Sequence, residues 1–549
     1  MFMSSPRNRI SRFGLKRKNE LYYILLKVRD TDFSAFKYFD KTELKSQSDR
    51  PYAGDKTSFS LSRGQRWYLD NKRPDRLRSS LKELEELLTE QSVIYSGWRG
   101  ASVYQLVLQT GLIVNIGVNR YGDLTRITFD KFLVGKISEH VTDCVVTSGH
   151  ILVTYLEPRL TIVTLTRQAD QLVNSEARIQ HLDLHCPPGR RLDRRLVVSS
   201  DAGQCLVWWP ADGQEVYPWS PQLKEEDRAN MAVISLKPQP HVLGYHRTTS
   251  DPIYFRFLSD TIHYLGQSQQ QARRGETELE NTILTVSDQD KLIRRKVSRS
   301  VVVSNCIVCH ATVPNSDNVI LAAMDGTIFT FDQVENKVDN QVRAGFIAQH
   351  ISCHPDGAII VAVSEAGLVQ CYDIALTPVT LVFPNEEQVT GSVLDTSLYF
   401  RTPITVKGAS WCQGDSSGNV IDQNHLMMRL QGGPLMVVRF NTGVYSGGRI
   451  GPVQIVAQYL KYNLYHQVLL FLSQLSWLYS GNTLIICLTQ AFNAFLKLPF
   501  TREKECLLEM CLGLFHAPAK PITDQVKAFL IDRYTKYNFW LSKDLTMIV

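Results

Sequence analysis

The hydrophobic positions of this chain change their period twice. From about residue 93 to residue 445 they come as short apolar runs or strict alternation between turn residues, which predicts strands almost throughout. Residues 103–108, 112–118, 144–146, 151–155 and 160–165 are such runs, separated by turns at Gly111, Gly149 and Pro158. The clearest unit is residues 351–373, ISCHPDGAIIVAVSEAGLVQCYD. His354-Pro355-Asp356-Gly357 is turn chemistry, because Pro presets φ and Gly accepts a positive φ. A buried strand follows at 358–363, then a second turn at Glu365-Ala366-Gly367. An alternating strand from Leu368 to Tyr372 is closed by Asp373.

The unit recurs. Gly203 lies five residues before Trp208, Gly326 five before Phe331 and Gly367 five before Tyr372. Gly326 and Gly367 are 41 residues apart, and Gly203 and Gly326 are 123 apart, three times that interval. A repeat of roughly 40–45 residues is that of the four-stranded blade of a WD-repeat β-propeller. The spacing predicts that the three glycines occupy equivalent turns, and the three aromatics equivalent strands, of one ring. About 350 residues at roughly 43 per blade give eight blades; discounting polar loops near 168–190, 265–282 and 384–392 gives seven.

On either side the pattern differs. Short apolar runs within 21–41 suggest one or two strands, and 42–66 is polar. Beyond Pro74 the residues Leu77, Leu81, Leu84 and Leu88 recur at helical spacing. Two heptads are too few for a coiled coil, so this reads as one amphipathic helix packed on the ring or on a partner, the ring being preferred. After Gly451 helical spacing takes over. Val453, Ile455, Val456, Tyr459 and Leu460 form one face, and Val468, Leu469, Leu472 and Leu475 a second. A third holds Leu484, Leu488, Ala491, Phe492 and Phe495. A fourth, behind Thr501 as N-cap with Glu503 in the first turn, holds Cys506, Leu507, Met510 and Leu514. A last helix is expected over 524–537. Short links between such helices indicate antiparallel pairs, the unit of an α-solenoid. The chain stops at the apolar residues 545–549 soon afterwards, so the solenoid is expected to be truncated, with Phe529, Leu530 and Tyr534 on an uncovered face. The expected organisation is a basic tail over 1–20, strands and an amphipathic helix over 21–92, a β-propeller over 93–450, and the start of an α-helical solenoid over 451–549.

Composition changes this picture little. At 549 residues the chain exceeds one compact core, and 44% hydrophobic with 21% charged residues is ordinary for a folded protein. A net charge of +6 does not call for nucleic acid. The 11 cysteines are scattered and odd in number, and no apolar signal-like segment precedes them, which favours a reducing compartment. Residues 462–496 carry no charge, but Gln474, Ser476 and Ser480-Gly481-Asn482-Thr483 divide them, so neither part reaches the roughly 18 apolar residues of a membrane span. Arg7, Arg9, Arg12, Lys16, Arg17 and Lys18 all precede the first acid, Glu20. Such a tail can lie against anionic lipid or simply be solvated; Pro6 and Gly14 interrupt the helix that an import presequence needs.

The chemistry-bearing motifs are few. Cys306-Ile307-Val308-Cys309-His310 matches the haem-attachment pattern CxxCH. It falls in a strand-like run over 301–312, where positions three apart face opposite sides, so the two thiols are expected to point apart, reduced and unliganded. No second Cys/His pair at zinc spacing accompanies it, Cys353-His354 being adjacent. There is no phosphate loop of the form GxxxxGKS or GxxxxGKT and no HExxH. The residues therefore predict no catalytic, cofactor or metal site, and a scaffold rather than an enzyme.

Several segments resemble the fritz homologs, the WD-repeat planar cell polarity effectors. They are Phe36-Lys37-Tyr38-Phe39-Asp40-Lys41, Asn71-Lys72-Arg73-Pro74 running into Leu77 to Leu87, and Trp208-Trp209-Pro210. Further along come Pro218-Trp219-Ser220-Pro221, Asp227-Arg228-Ala229-Asn230, residues 351–378, Gly433-Pro434-Leu435 and residues 512–521. The first 20 residues depart from the family's start, and family members continue through more helices beyond this chain's end. The resemblance implies a non-enzymatic scaffold that assembles with inturned and fuzzy homologs at basal bodies. It further implies engagement of a Rab-like small GTPase and phosphoinositide membrane, recruitment of intraflagellar transport machinery, and links to septins and actin. It places the protein in cytoplasm, basal body, cilium and cytoskeleton. From the residues alone two other readings stay open: a vesicle-coat or intraflagellar-transport subunit, which also joins a propeller to a solenoid, and a haem or metal protein built on CxxCH.

Overall fold

The computed structural model describes residues 22–25 and, with loop segments excepted, 75–532. Residues 1–21, 26–74 and 533–549 lie outside the described residues, as do the longer internal segments 166–177, 185–195, 211–228, 269–275, 383–391, 413–423, 443–450 and 516–523. The basic cluster from Arg7 to Lys18, Leu530, Tyr534 and the apolar end at 545–549 are therefore not placed.

Seven antiparallel sheets follow one another over residues 93–130, 141–183, 196–246, 251–303, 307–343, 350–382 and 406–442. They are blades 1 to 7. Within blades 1 to 6 the strands pair in sequence order, from a first to a fourth. The first strands of most successive blades adjoin, and that of blade 7, Val406–Trp411, returns to that of blade 1, Val93–Arg99. The ring is thereby closed, with first strands innermost. Blade 7 supplies three strands itself; Tyr22–Leu25 pairs antiparallel with its third, Leu435–Thr442, and parallel with the fourth strand of blade 6, Pro378–Val382.

Stacking of blades explains the hydrophobic pattern. A central strand is covered on both faces by neighbouring blades, so it reads as a continuous apolar run. Asn318–Ala323 and Ile359–Val363 are buried at every position. Outer strands such as Arg178–Asp183 and Lys337–Arg343 keep polar, partly exposed residues. Two tryptophans at matching positions of first strands fasten the closing blades. Trp411 Nε1 donates to the Ser352 carbonyl of blade 6 at 3.2 Å, and Trp98 Nε1 to the Ser410 carbonyl of blade 7 at 3.1 Å.

Helix α1, Asp75–Glu90, packs on the outer strand of blade 1, as its leucine spacing predicts. Leu81, Leu84 and Leu88 are buried in one core with blade 1 and with Met427, Leu435 and Val437 of blade 7. Four helices follow the ring: α2 (Pro452–Lys461), α3 (Tyr465–Gln474), α4 (Gly481–Leu496) and α5 (Arg502–Phe515). Besides the contacts within each hairpin, α2 packs on α4 and α3 on α5. Helical turns at 524–526, 528–529 and 531–532 continue the series, with Val526 buried and Phe529 packed against the same core. The uncharged stretch 462–496 is divided between α3 and α4, and among the described residues no helix is long and apolar enough to cross a membrane.

Three expectations need correction. Gly203 is not equivalent to Gly326 and Gly367. It precedes Gln204–Trp208, the second strand of blade 3, whereas Gly326 and Gly367 precede third strands, Thr327–Asp332 and Leu368–Asp373. Trp208 accordingly sits one strand inward of Phe331 and Tyr372. The physical reason is the connection between the second and third strands of blade 3, which spans 209–230 and shifts the count by about one strand. The glycines do share a backbone conformation, with φ of +87°, +84° and +87°. The second correction concerns α5. Its buried residues are Lys504, Leu507, Leu508 and Cys511, while Cys506 and Met510 are exposed. Lys504 turns the helix by donating from Nζ to the Leu496 carbonyl at the end of α4 (3.0 Å), which draws a formally polar position inside. Third, residues 301–312 are two strands: Val301–Val303 pairs within blade 4, and Ile307–Thr312 opens blade 5.

Candidate interaction site at the seam of ring and helices

The two turns that make blade 6 conspicuous in the sequence lie at one end of the blade. One is His354 to Gly357, between its first and second strands; the other is Asp373 to Thr377, between its third and fourth. In the first, Gly357 N–H donates to the His354 carbonyl (2.8 Å) and Asp356 N–H to His354 Nδ1 (3.2 Å). Gly357 has φ +69°, and a Cβ there would stand 3.3 Å from the Pro314 carbonyl of blade 5. His354 is buried edge-on to Trp411 of blade 7, ring centres 4.9 Å apart. The second turn is tied by Asp373, whose Oδ1 accepts Thr377 N–H at 2.8 Å while its own N–H donates to the Thr377 carbonyl at 3.0 Å. These bonds hold Leu376 at φ +61°, a conformation that disfavours a side chain bearing Cβ.

Both turns meet α2. Tyr459 of α2 donates from its hydroxyl to Asp373 Oδ2 at 2.5 Å, with both residues buried. Burial pushes the Asp373 carboxyl up to about 6; the Tyr459 hydroxyl and the N–H groups of Thr377 and Ala375 act against that rise. At the other end of α2, a Cβ on Gly451, the N-cap, would lie 3.9 Å from Asp356 Oδ2. A carboxylate there favours the positive end of the helix. Around these contacts one hydrophobic core runs without a break from Ile359, Val361 and Val369 of blade 6 through Ile455 and Val456 of α2 to Phe471, Leu488 and Phe492 of α3 and α4.

The residues expected to define blades fall as follows. His354, Pro355, Gly357 and Asp373 belong to the seam. Tyr372 is fully buried beside it, and Gly367 sits in the turn at the opposite end of the blade, where the Thr396 hydroxyl donates to its carbonyl at 2.6 Å. Gly326 and Phe331 build blade 5 and Gly203 and Trp208 blade 3, away from the helices. Trp208 Nε1 instead joins a buried cluster, donating to Thr248 Oγ1 at 3.2 Å beside Asn230. The face that carries Gly326 and Gly367 also presents exposed Met324 and Ile347. Tyr459 and Asp356 are the seam residues that sequence reasoning missed as such. A tyrosine on a helical apolar face signals only burial, and its hydroxyl's partner lies 86 residues away. Trp98 and Trp411 were not singled out either, although each follows Ser or Gly at the same place in a first strand.

Cys306 and Cys309 point apart, though not as opposite faces of one strand, since Cys306 lies just before Ile307–Thr312. Cys306 Sγ faces Gln267 Oε1 of blade 4 at 3.3 Å and Cys309 Sγ faces the Ala348 carbonyl at 3.3 Å, and both are free thiols. Burial raises the Cys309 thiol to about 12, which disfavours the thiolate that a metal or vinyl group would require. Among the described residues no three His, Cys, Asp or Glu side chains gather as metal ligands.

Ring, seam and appended helices define a WD-repeat propeller protein. The sequence profile described as "WD repeat-containing and planar cell polarity effector protein Fritz" matches residues 56–542. The chain belongs to that family. The fritz homolog of Xenopus laevis is 28% identical over 538 residues, covering 94% of this chain and 76% of that protein. The Homo sapiens homolog is 26% identical, covering 93% and 70%. The Drosophila melanogaster fritz protein is also 26% identical, but this chain covers 57% of it. Among solved structures, the C-terminal WD40 domain of Sif2 is similar over 64% of this chain and 82% of its own, at 12% identity and a TM-score of 0.37.

Proposed function

We propose that this protein is a non-enzymatic scaffold of the ciliogenesis and planar cell polarity effector complex, working in cilium assembly and in septin and actin organisation. The observation that carries the reading is the match of residues 56–542 to a planar cell polarity effector family. The fused core at the seam supports a scaffold physically, because a ring and helices packed as one body can present two surfaces at a fixed angle. Inturned and fuzzy homologs, a Rab-like small GTPase and, through Arg7 to Lys18, phosphoinositide membrane are the partners on this reading. The sites of action are the cytoplasm, basal body and cytoskeleton. The packing of α2 on α4 and α3 on α5 supports reading the helices as the first repeats of a solenoid. Affinity purification of the tagged chain from ciliated cells tests the function. Inturned and fuzzy homologs are the expected recovery; vesicle-coat or intraflagellar-transport subunits without them would overturn it.

A further inference from the structure

We propose that the Asp373–Tyr459 contact is a proton-linked latch between the ring and the helices, closing more firmly when Asp373 holds a proton. Geometry carries the argument. Asp373 has no exposed surface, and its described partners are neutral: the Tyr459 hydroxyl, and the N–H groups of Thr377 and Ala375 with the Thr377 hydroxyl. Among the described residues a carboxylate so placed meets no counter-charge, and burial penalises its ionised form. Tyr459 belongs to α2, so lifting α2 removes the lid, admits water and lets the carboxylate ionise as an ordinary one does. The closed state therefore binds the proton more tightly than the open state.

The sign follows from linkage. With the carboxyl at about 6 when closed and near the ordinary value of about 3.9 when open, protonation favours the closed state below that window, and the preference is lost as pH rises through it. Between about pH 5 and pH 7.5 the opening equilibrium of α2 should rise about tenfold. Among the described residues the other titratable groups at the seam include the following. His354 and Asp356 lie on the neighbouring turn, Cys371 and Tyr372 on the same strand, Lys461 at the end of α2 and exposed His466 on α3, while α4 carries no charged residue. His354 and His466 are the imidazoles among them, so each needs its own control.

Hydrogen exchange of the whole chain, read by mass spectrometry at about pH 5 and pH 7.5 and corrected for intrinsic rates, tests the latch. In the wild type, α2 amides should lose about tenfold of their protection at the higher pH, while the central strands of blade 2 stay unchanged. Asp373→Asn should abolish the dependence; His354→Gln and His466→Gln should keep it. Tyr459→Phe, which removes the one bond from α2 that favours the charged form, should steepen it. Equal protection of α2 at both pH values in the wild type, or a dependence that survives in Asp373→Asn, overturns the proposal. Should Asp373→Asn fail to fold, wild type and Tyr459→Phe decide the matter alone.

Discussion

Blades 3 and 6 carry the same sequence signature, a glycine five residues before a buried aromatic, and use it differently. In blade 6 the glycine turns the chain between the second and third strands, and the two turns at the far end receive α2. In blade 3 the glycine turns it between the first and second strands, and the aromatic anchors a buried Asn230–Thr248 cluster. A positive-φ turn followed by an apolar strand is thus a local solution that any hairpin of the ring can adopt. It fixes neither which hairpin it serves nor what covers it. Hydrogen-bond pairing fixes the first, and the neighbours of the turn fix the second.

The largest effect should test whether the two aromatics are equal despite their different strands. Trp208 is 3% exposed and Tyr372 fully buried. Truncating either to alanine removes a large side chain from between two blades, which costs about 3–5 kcal/mol. Trp208→Ala and Tyr372→Ala should lower the apparent Tm by similar amounts. A mild effect in blade 3 alone would show that blade to be the looser of the two.

The seam separates the blades next. Tyr459→Phe strands a buried carboxylate of blade 6 with one donor fewer, at a cost of about 1–3 kcal/mol. Limited proteolysis should then release the helices faster, with blade 3 left as resistant as before. Equal acceleration of cleavage in both blades would mean that the ring unfolds as one unit and that the seam is not a separate point of failure.

These contrasts mark what was legible in the sequence. The ring was, because stacked blades force continuous apolar runs such as 318–323 and 359–363, and period and turn chemistry repeat. Four helices and most of their buried faces were legible from spacing alone. The strand register of blade 3 was not, since nothing in residues 209–230 shows which hairpin they extend. The buried face of α5 was not either, because a lysine that satisfies a helix end is indistinguishable in sequence from one in water. The seam was half legible. Its turns stand out through Pro355, Gly357 and Asp373, but nothing near them names Tyr459.

The glycines themselves give a smaller and sharper contrast. Both have φ +87°, so placing alanine at either position costs about 1–2 kcal/mol of backbone strain. At Gly367 the new methyl would also stand 2.6 Å from Ile404 Cδ1 and 2.7 Å from the Thr396 hydroxyl that bonds the same turn. That crowding should add about 1–3 kcal/mol. Denaturant midpoints should therefore fall further for Gly367→Ala than for Gly203→Ala, and equal shifts would remove the distinction drawn between the two turns.

The smallest expected effect separates strain from crowding at Gly203. The atoms its methyl would meet are Lys237 Cδ at 3.3 Å and Cε at 3.4 Å, the far end of a flexible side chain. Such a chain can swing away at little cost, so nearly all of the penalty at Gly203 should come from the backbone. Trimming the neighbour then has little to relieve. In a double-mutant cycle of Gly203→Ala with Lys237→Ala, the coupling should stay within about 0.5 kcal/mol, the level at which independent sites add. At Gly367 the obstacle is a branched side chain whose δ-methyl must move outright. The matching cycle of Gly367→Ala with Ile404→Val, which deletes that methyl, should return about 1 kcal/mol, as relieved overpacking does. If Lys237→Ala rescues Gly203→Ala as strongly as Ile404→Val rescues Gly367→Ala, the turn of blade 3 is packed as tightly as that of blade 6. The two uses of the signature would then differ only in strand order.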